Sequence, residues 1–150
     1  MCRKNSAFLK DGESIYNTLL VSKPGAGKTT CLRDCIRSLS NGKEGWEGMK
    51  ICVVDERSEI AACHLGIPQN DMGIRTDVLS GCGKSEGMML MLRSMSPQII
   101  AVDELGGKKD FQAVEQAACS GVRILGTVHA DTVEELWENI SEKVDEAWNF

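Results

Sequence analysis

Apolar and polar positions change their period several times along the 150-residue chain, marking out strands and helices in alternation. Thr18-Leu-Leu-Val21 is a short apolar run that leads into Ser22 to Thr30, S-K-P-G-A-G-K-T-T. Beyond it Cys31, Leu32, Cys35, Ile36 and Leu39 recur every three or four residues, the spacing of one buried helical face, and Asn41-Gly42 supplies a stop. Arg33 and Arg37 fall on the opposite, solvated side. Ile51-Cys-Val-Val54 and Ile99-Ile-Ala-Val102 are apolar throughout and too short for helices, as strands buried on both faces of a parallel sheet are. Val122 to Val128 reads as a further strand. The pattern also predicts a Met-rich helix from about Ser85 to Met95, and another from Asp110, in the N-cap position, to Ser120. Gly66 to Gly73, holding Pro68 and Asn70-Asp71, must be irregular and is long enough to suggest function. A last helix opens on the capping box Asp131-x-x-Glu134, and its stripe Val133, Leu136, Trp137, Ile140, Val144 and Trp148 is suited to core or subunit contact.

Four strands alternating with helices through short loops predict an α/β fold, a doubly wound, mainly parallel twisted sheet with helices on both faces. Residues 1–13 are mixed and polar around Ala7-Phe8-Leu9, with Asp11-Gly12 as a turn, and read as a leading segment cut from a longer protein. Residues 14–150 then form one domain, large enough to bury a core without staples.

Net charge is −5, with the acidic residues gathered near the end, and no basic or aromatic stripe is present, which argues against a nucleic-acid footprint. Seven cysteines form no C-x-x-C pair, and the odd count without a signal peptide predicts a reducing cytosol. Cys63-His64 has no second cluster to complete a zinc site. No apolar stretch approaches the roughly 20 residues that span a bilayer, so membrane association is expected only through partners.

The chemistry gathers at the ends of the predicted strands. A strand, a glycine loop and a helix, in that order, are what a phosphate-binding loop needs, because backbone N–H groups at a helix N-terminus attract a polyphosphate. Pro24, Gly25, Ala26, Gly27, Lys28, Thr29 and Thr30 would line it, with Gly25 and Gly27 removing the Cβ atoms that hold backbone away from phosphate. Lys28 would reach the β/γ oxygens and Thr29 would ligate Mg²⁺. Ser22 stands where G-x-x-x-x-G-K-[ST] asks for Gly, at a hinge that tolerates a small residue. The strand ending in Asp103-Glu104 would supply a carboxylate to the Mg²⁺ shell, through water, from Asp103 and a group that polarises the attacking water from Glu104. No N-K-x-D guanine motif is present, which favours ATP. Asp55, Glu56 and Glu59 crowd around Arg57 at another strand end, and Thr127 with His129 end the last strand, where they could sense a γ-phosphate.

These four strand ends together resemble the secretion ATPase superfamily, the hexameric RecA-like motors of type II and type IV secretion and pilus assembly. Within it the chain is more similar to the stage III sporulation protein AA family of endospore-forming bacteria. The similarity rests on N-T-L-L-V-S-K-P-G-A-G-K-T-T-C-L-R-D at 17 to 34, V-V-D-E-R-S-E-I-A at 53 to 61, G-I-P-Q-N-D-M-G-I-R-T-D-V-L at 66 to 79, E-G-M-M-L-M-L-R-S-M-S-P at 86 to 97 and V-D-E at 102 to 104. It covers nearly the whole chain.

That resemblance implies a RecA-like P-loop ATPase using ATP and Mg²⁺, with Lys28 and Thr29 in the Walker A loop and Asp103-Glu104 as the Walker B pair. It makes Asp55, Glu56 and Glu59 an acidic box that positions Mg²⁺ and water, and Thr127 to His129 a histidine box. Arg93 matches the arginine of the stretch before Walker B, while Arg57 and Arg75 are candidates for reaching a phosphate across a subunit boundary. Where the family tends to have Ile-Gly-Arg after the Walker B acids, this chain has Leu105-Gly106-Gly107, so an arginine contact is missing or supplied by Lys108 or Lys109. The resemblance further implies a longer protein with a preceding N-terminal domain, a hexamer, a cytoplasmic location in the mother cell, and membrane channel proteins joining mother cell and forespore as partners. The isolated domain is then expected to be weakly active. A nucleotide-gated scaffold that does not hydrolyse and a nucleic-acid translocase on the same core remain the alternatives.

Overall fold

A computed structural model describes the backbone of residues 10, 11 and 14–148 and the side chains of residues 14–142. Lys10–Asp11 (β1) and Ser14–Ile15 (β2) pair as a small antiparallel ladder. Five strands, Thr18–Ser22 (β3), Ile51–Asp55 (β4), Thr76–Ser80 (β5), Ile99–Val102 (β6) and Arg123–His129 (β7), form one sheet in the order β3-β7-β6-β4-β5. Every pairing in it is parallel. The helices are Lys28–Asn41 (α1), Lys84–Ser94 (α2), Lys108–Cys119 (α3) and Val133–Trp148 (α4). The expected α/β class, parallel with helices on both faces, is what the chain adopts.

The apolar strands are apolar because both their faces are covered. Ile51 and Val53 of β4 pack with Leu32, Ile36 and Leu39 of α1, while Cys52 and Val54 point the other way onto Met88 and Met91 of α2 and Ala113 and Ala117 of α3. β6 divides likewise, Ile99 and Ala101 toward α1, Ile100 and Val102 toward α2 and α3. Each helix therefore follows the period-2 alternation of the strands it covers.

The sheet has one strand more than the pattern predicts. Thr76-Asp-Val-Leu-Ser80 is half-buried at the sheet edge, and with only two apolar residues it carries no run to recognise. The connection from β4 to β5 has no helix. It lies against the α1 side of the sheet through Ile60, Ala61 and Met72, and its irregular stretch holds a tight turn in which His64 and Ile67 exchange N–H···O bonds of 2.9 Å.

Two helix starts differ from the sequence reading. The N-cap of α3 is Gly107, and Asp110 sits at the third helical position, its Oδ2 accepting the N–H groups of Gly106 and Gly107 at 3.2 and 3.1 Å. α4 is capped one residue later than Asp131-x-x-Glu134. Thr132 Oγ1 accepts the Glu135 N–H at 3.1 Å, and the Glu135 carboxylate takes the Asp131 N–H at 2.7 Å, because Asp131 itself turns toward Lys23, 3.6 Å away. Of the stripe on α4, Leu136 packs into the core on the α2 and α3 side, whereas Val133 and Trp137 are 73% and 71% exposed. The side chains of Val144 and Trp148 lie outside the described ones, as do Ala7 to Leu9 and Gly12 of the leading segment. Among the described residues no helix is long and apolar enough to cross a membrane.

Burial separates the cysteines chemically. Desolvation, with smaller help from Asp77, pushes the Cys52 thiol up to about 11, while Cys119 is exposed on α3. At pH 8 an alkylating reagent should therefore label Cys119 in the native protein and Cys52 only after unfolding. Labelling of both at equal rates in native protein, followed by peptide mass spectrometry, would contradict this packing.

Candidate functional site

Because all five strands run the same way, their C-terminal ends open on one edge, where such sheets place ligands. The register Ser22↔His129 sets the start of the glycine loop beside the end of β7, and Val102↔Gly126 brings Asp103-Glu104 next to Thr127. Three distant stretches of sequence thus meet at one place.

The glycine loop is built as an anion cup. Gly25 and Gly27 have φ of 77° and 86°, left-handed values that glycine adopts without penalty. Gly27 is the N-cap of α1 and offers no side-chain acceptor, and the first turn holds no acidic residue, so the leading N–H groups have neither a cap nor a carboxylate. Lys28 is only 9% exposed. Its Nζ donates to Ser22 O at 2.7 Å, Lys23 O at 3.1 Å and His129 Nδ1 at 2.8 Å.

That last bond fixes a tautomer. An ammonium group only donates, so Nδ1 must accept and the imidazole proton resides on Nε2, which donates to Glu104 Oε1 at 2.8 Å. Arg57 donates to the other Glu104 oxygen at 2.8 Å. The result is a chain of polar contacts from Lys28 through His129 and Glu104 to Arg57. The hydrogen bond from His129 chiefly, with Arg57 adding its charge against some desolvation, lowers the Glu104 carboxyl below the ordinary carboxylate value. Glu104 is thereby favoured in its ionised form. Its backbone is left-handed, φ 52°, an uncommon state for a residue with a Cβ and one that structures retain at functional positions.

Asp103, also 9% exposed, divides its carboxylate between two hydroxyls. Thr29 Oγ1 donates to Oδ2 at 2.8 Å, and Thr127 Oγ1 donates to Oδ1. A hydroxyl and a carboxylate oxygen side by side, at the head of an anion cup, are the hard donors that suit Mg²⁺, so the residues present fit that ion. Pro24, Gly25, Gly27, Lys28, Thr29 and Thr30 line a cleft of about 390 Å³ with Glu59, Asp103, Glu104 and His129. Ala26 faces a neighbouring hollow beside Asp131 and Val133.

The acidic segment after β4 is more structural than its composition suggests. Asp55 is 2% exposed and spends its carboxylate on backbone, Oδ1 accepting the N–H groups of Glu59 and Ile60 at 2.9 and 3.2 Å and Oδ2 that of Ala61 at 2.8 Å. Arg33, which the helical pattern assigns to a solvated face, clamps the same segment from outside, donating to Ile60 O at 2.6 Å and Glu59 O at 2.9 Å. Glu56 is paired with Lys84 at 2.7 Å. No sequence signal marks Lys84, because it opens the helix after the unrecognised strand β5.

A model of the family described as "Sporulation stage III, protein AA" matches residues 3–147 of the chain. The chain belongs to the stage III sporulation protein AA family. It is 46% identical over 130 residues to the stage III sporulation protein AA of Bacillus subtilis (strain 168), a match covering 87% of this chain and 42% of that protein. The chain thus spans about two fifths of that relative's length. Its fold is similar to the Legionella pneumophila ATPase DotB, with a TM-score of 0.65 at 20% identity over 85% of this chain and 36% of that one. It is similar also to the VirB11 ATPase of the Brucella suis type IV secretion system, solved in complex with sulphate, with a TM-score of 0.61 at 17% identity over 84% and 34% of the two chains. The chain accordingly has a RecA-like fold.

Two arginines singled out in the sequence lie away from this cleft. Arg75 precedes β5, at the opposite end of the strands, where its N–H bonds Ser40 Oγ at 2.7 Å and its guanidinium reaches Ser40 O at 3.3 Å. Arg93 is in the last turn of α2 and borders the groove between α2 and α3 with Lys109. Both stand before a strand, and only residues that follow a strand arrive at the site edge. Arg57 does so, as do Glu56 and Glu59.

Replacing Asp55 by Asn leaves one acceptor and introduces an N–H₂ group facing backbone N–H groups. Urea unfolding should show a loss of about 2–3 kcal/mol for Asp55→Asn. A change under about 0.5 kcal/mol, the usual range for an incidental surface position, would mean that the carboxylate does not organise the segment.

Proposed function

We propose that this domain binds Mg·ATP at the glycine loop and hydrolyses it, as the ATPase part, residues 14–150, of a longer secretion-type motor. The observation carrying this reading is the convergence of Lys28, the Thr29–Asp103 pair and Glu104 around one cleft headed by a helix N-terminus. Backbone N–H groups of the loop receive the polyphosphate. Lys28 exchanges the carbonyls of Ser22 and Lys23 for the β/γ oxygens, releasing His129 Nδ1 to respond to the γ-phosphate. Thr29 and Asp103 hold Mg²⁺, which when bound supplies positive charge to the phosphate oxygens. Glu104, as the carboxylate, orients a water and accepts its proton once an oxygen is released by His129 or Arg57. Asp55 fixes the segment that carries Glu56, Arg57 and Glu59 to the cleft. The absence of an N-K-x-D motif supports adenine as the base.

Arg75 and Arg93 are remote from the cleft of their own subunit, and the family resemblance is what makes Arg75 a candidate for reaching the phosphate of a neighbouring copy. The family resemblance supports a hexamer in the mother-cell cytoplasm, docked on channel proteins between mother cell and forespore and converting hydrolysis into domain motion. One observation favours a non-hydrolysing scaffold instead: Glu104 is held by both Arg57 and His129.

Calorimetry and turnover separate the readings. Glu104→Gln should bind Mg·ATP within about threefold of the natural protein yet lose at least about 10²-fold in turnover, whereas Lys28→Ala should lose binding itself. A natural protein that binds but never turns over supports the scaffold. Activity per molecule that stays high and flat on dilution to monomer contradicts sites shared between subunits.

A further inference from the structure

Thr127 is fully buried, with 0% of its surface exposed, so it does not line the cleft. Its contacts surround the two carboxylates instead. The single hydroxyl proton goes to Asp103 Oδ1, and the oxygen accepts the Glu104 N–H at 2.8 Å. The main-chain carbonyl of Thr127 accepts the next amide, Leu105 N–H, at 2.9 Å. Glu104 is therefore bracketed by one residue of β7, whose hydroxyl and carbonyl secure successive amides.

This bracket coincides with the left-handed backbone of Glu104, φ 52°. In that conformation the chain turns sharply after β6, and the Glu104 carboxylate comes to lie between His129, two residues beyond Thr127, and Arg57. Without the hydroxyl, the Glu104 amide keeps only a longer contact of 3.1 Å with Asp103 Oδ1, and that oxygen loses one of its two donors.

We infer that Thr127 is the positioning residue of the site, holding Asp103 toward Thr29 and locking the backbone that aims Glu104 at the cleft. The inference rests on the hydrolysis reading for its catalytic consequence but not for its structural one. Thr127→Val keeps the shape and removes the hydroxyl; Thr127→Ser keeps the hydroxyl and removes a methyl group.

Amide hydrogen exchange in the nucleotide-free protein reads the lock directly. The Glu104 amide should exchange at least about tenfold faster in Thr127→Val and within about threefold of the natural rate in Thr127→Ser. In Mg·ATP turnover, Thr127→Val should lower kcat at least about tenfold with KM within about threefold, and Thr127→Ser should restore most of kcat. Unchanged Glu104 exchange in Thr127→Val overturns the inference, as does a Thr127→Ser variant as impaired as Thr127→Val. If Thr127→Val does not fold, Thr127→Ala is compared with Thr127→Ser by the same ratios. If the natural protein shows no turnover, the hydrolysis reading fails by itself, and exchange still decides whether Thr127 holds Glu104.

Discussion

The carboxylate of Asp103 accepts one hydroxyl from the first turn of α1 and another from the middle of the sheet. Through it the glycine loop is tied to β6 and β7, so the site has a fixed width rather than being a loop beside a strand end. The bond is possible only because β7 inserts between β3 and β6, and a parallel sheet in that order brings their C-terminal ends to one edge. The order of the strands therefore fixes where the parts of the site lie.

Around that tie, charge is balanced internally. Lys28 is nearly buried, and an unpaired ammonium there would be costly, so it is satisfied by two loop carbonyls and an imidazole. Glu104 is satisfied by the same imidazole and by Arg57. A polyphosphate entering the cup offers Lys28 better acceptors and leaves Nδ1 of His129 without its donor. The loop is thus joined to Glu104 and Arg57 by a continuous chain of hydrogen bonds. The segment after β4, which carries Arg57, is held by Asp55 from within and by Arg33 from α1.

Much of this was legible in the sequence where physics leaves an obvious pattern. β4 and β6 are covered on both faces, hence apolar without interruption; the glycine loop must combine positive φ with a helix start, hence G-A-G-K-T-T. β5 was not legible, since a half-buried edge strand needs few apolar residues and shows polar ones at its ends. The role of Asp55 was hidden for another reason: a cluster of acids reads as a ligand-facing group, and only coordinates reveal that one of them is buried and spent on amides. Arg33 and Lys84 reach partners across the fold, Ile60 and Glu56, that no local spacing reveals. Arg75 was legible as a residue but not as a position, because which end of a strand it occupies depends on finding β5.

The most direct measurement is an amide-resolved NMR titration of the domain with Mg·ATP. If the amide-lined cup grips the polyphosphate opposite Asp103 and Glu104, the largest shifts fall on Gly25 to Thr30 and on Asp103 and Glu104, followed by His129. Saturating nucleotide that leaves those amides unmoved, or moves chiefly the groove between α2 and α3, would contradict it.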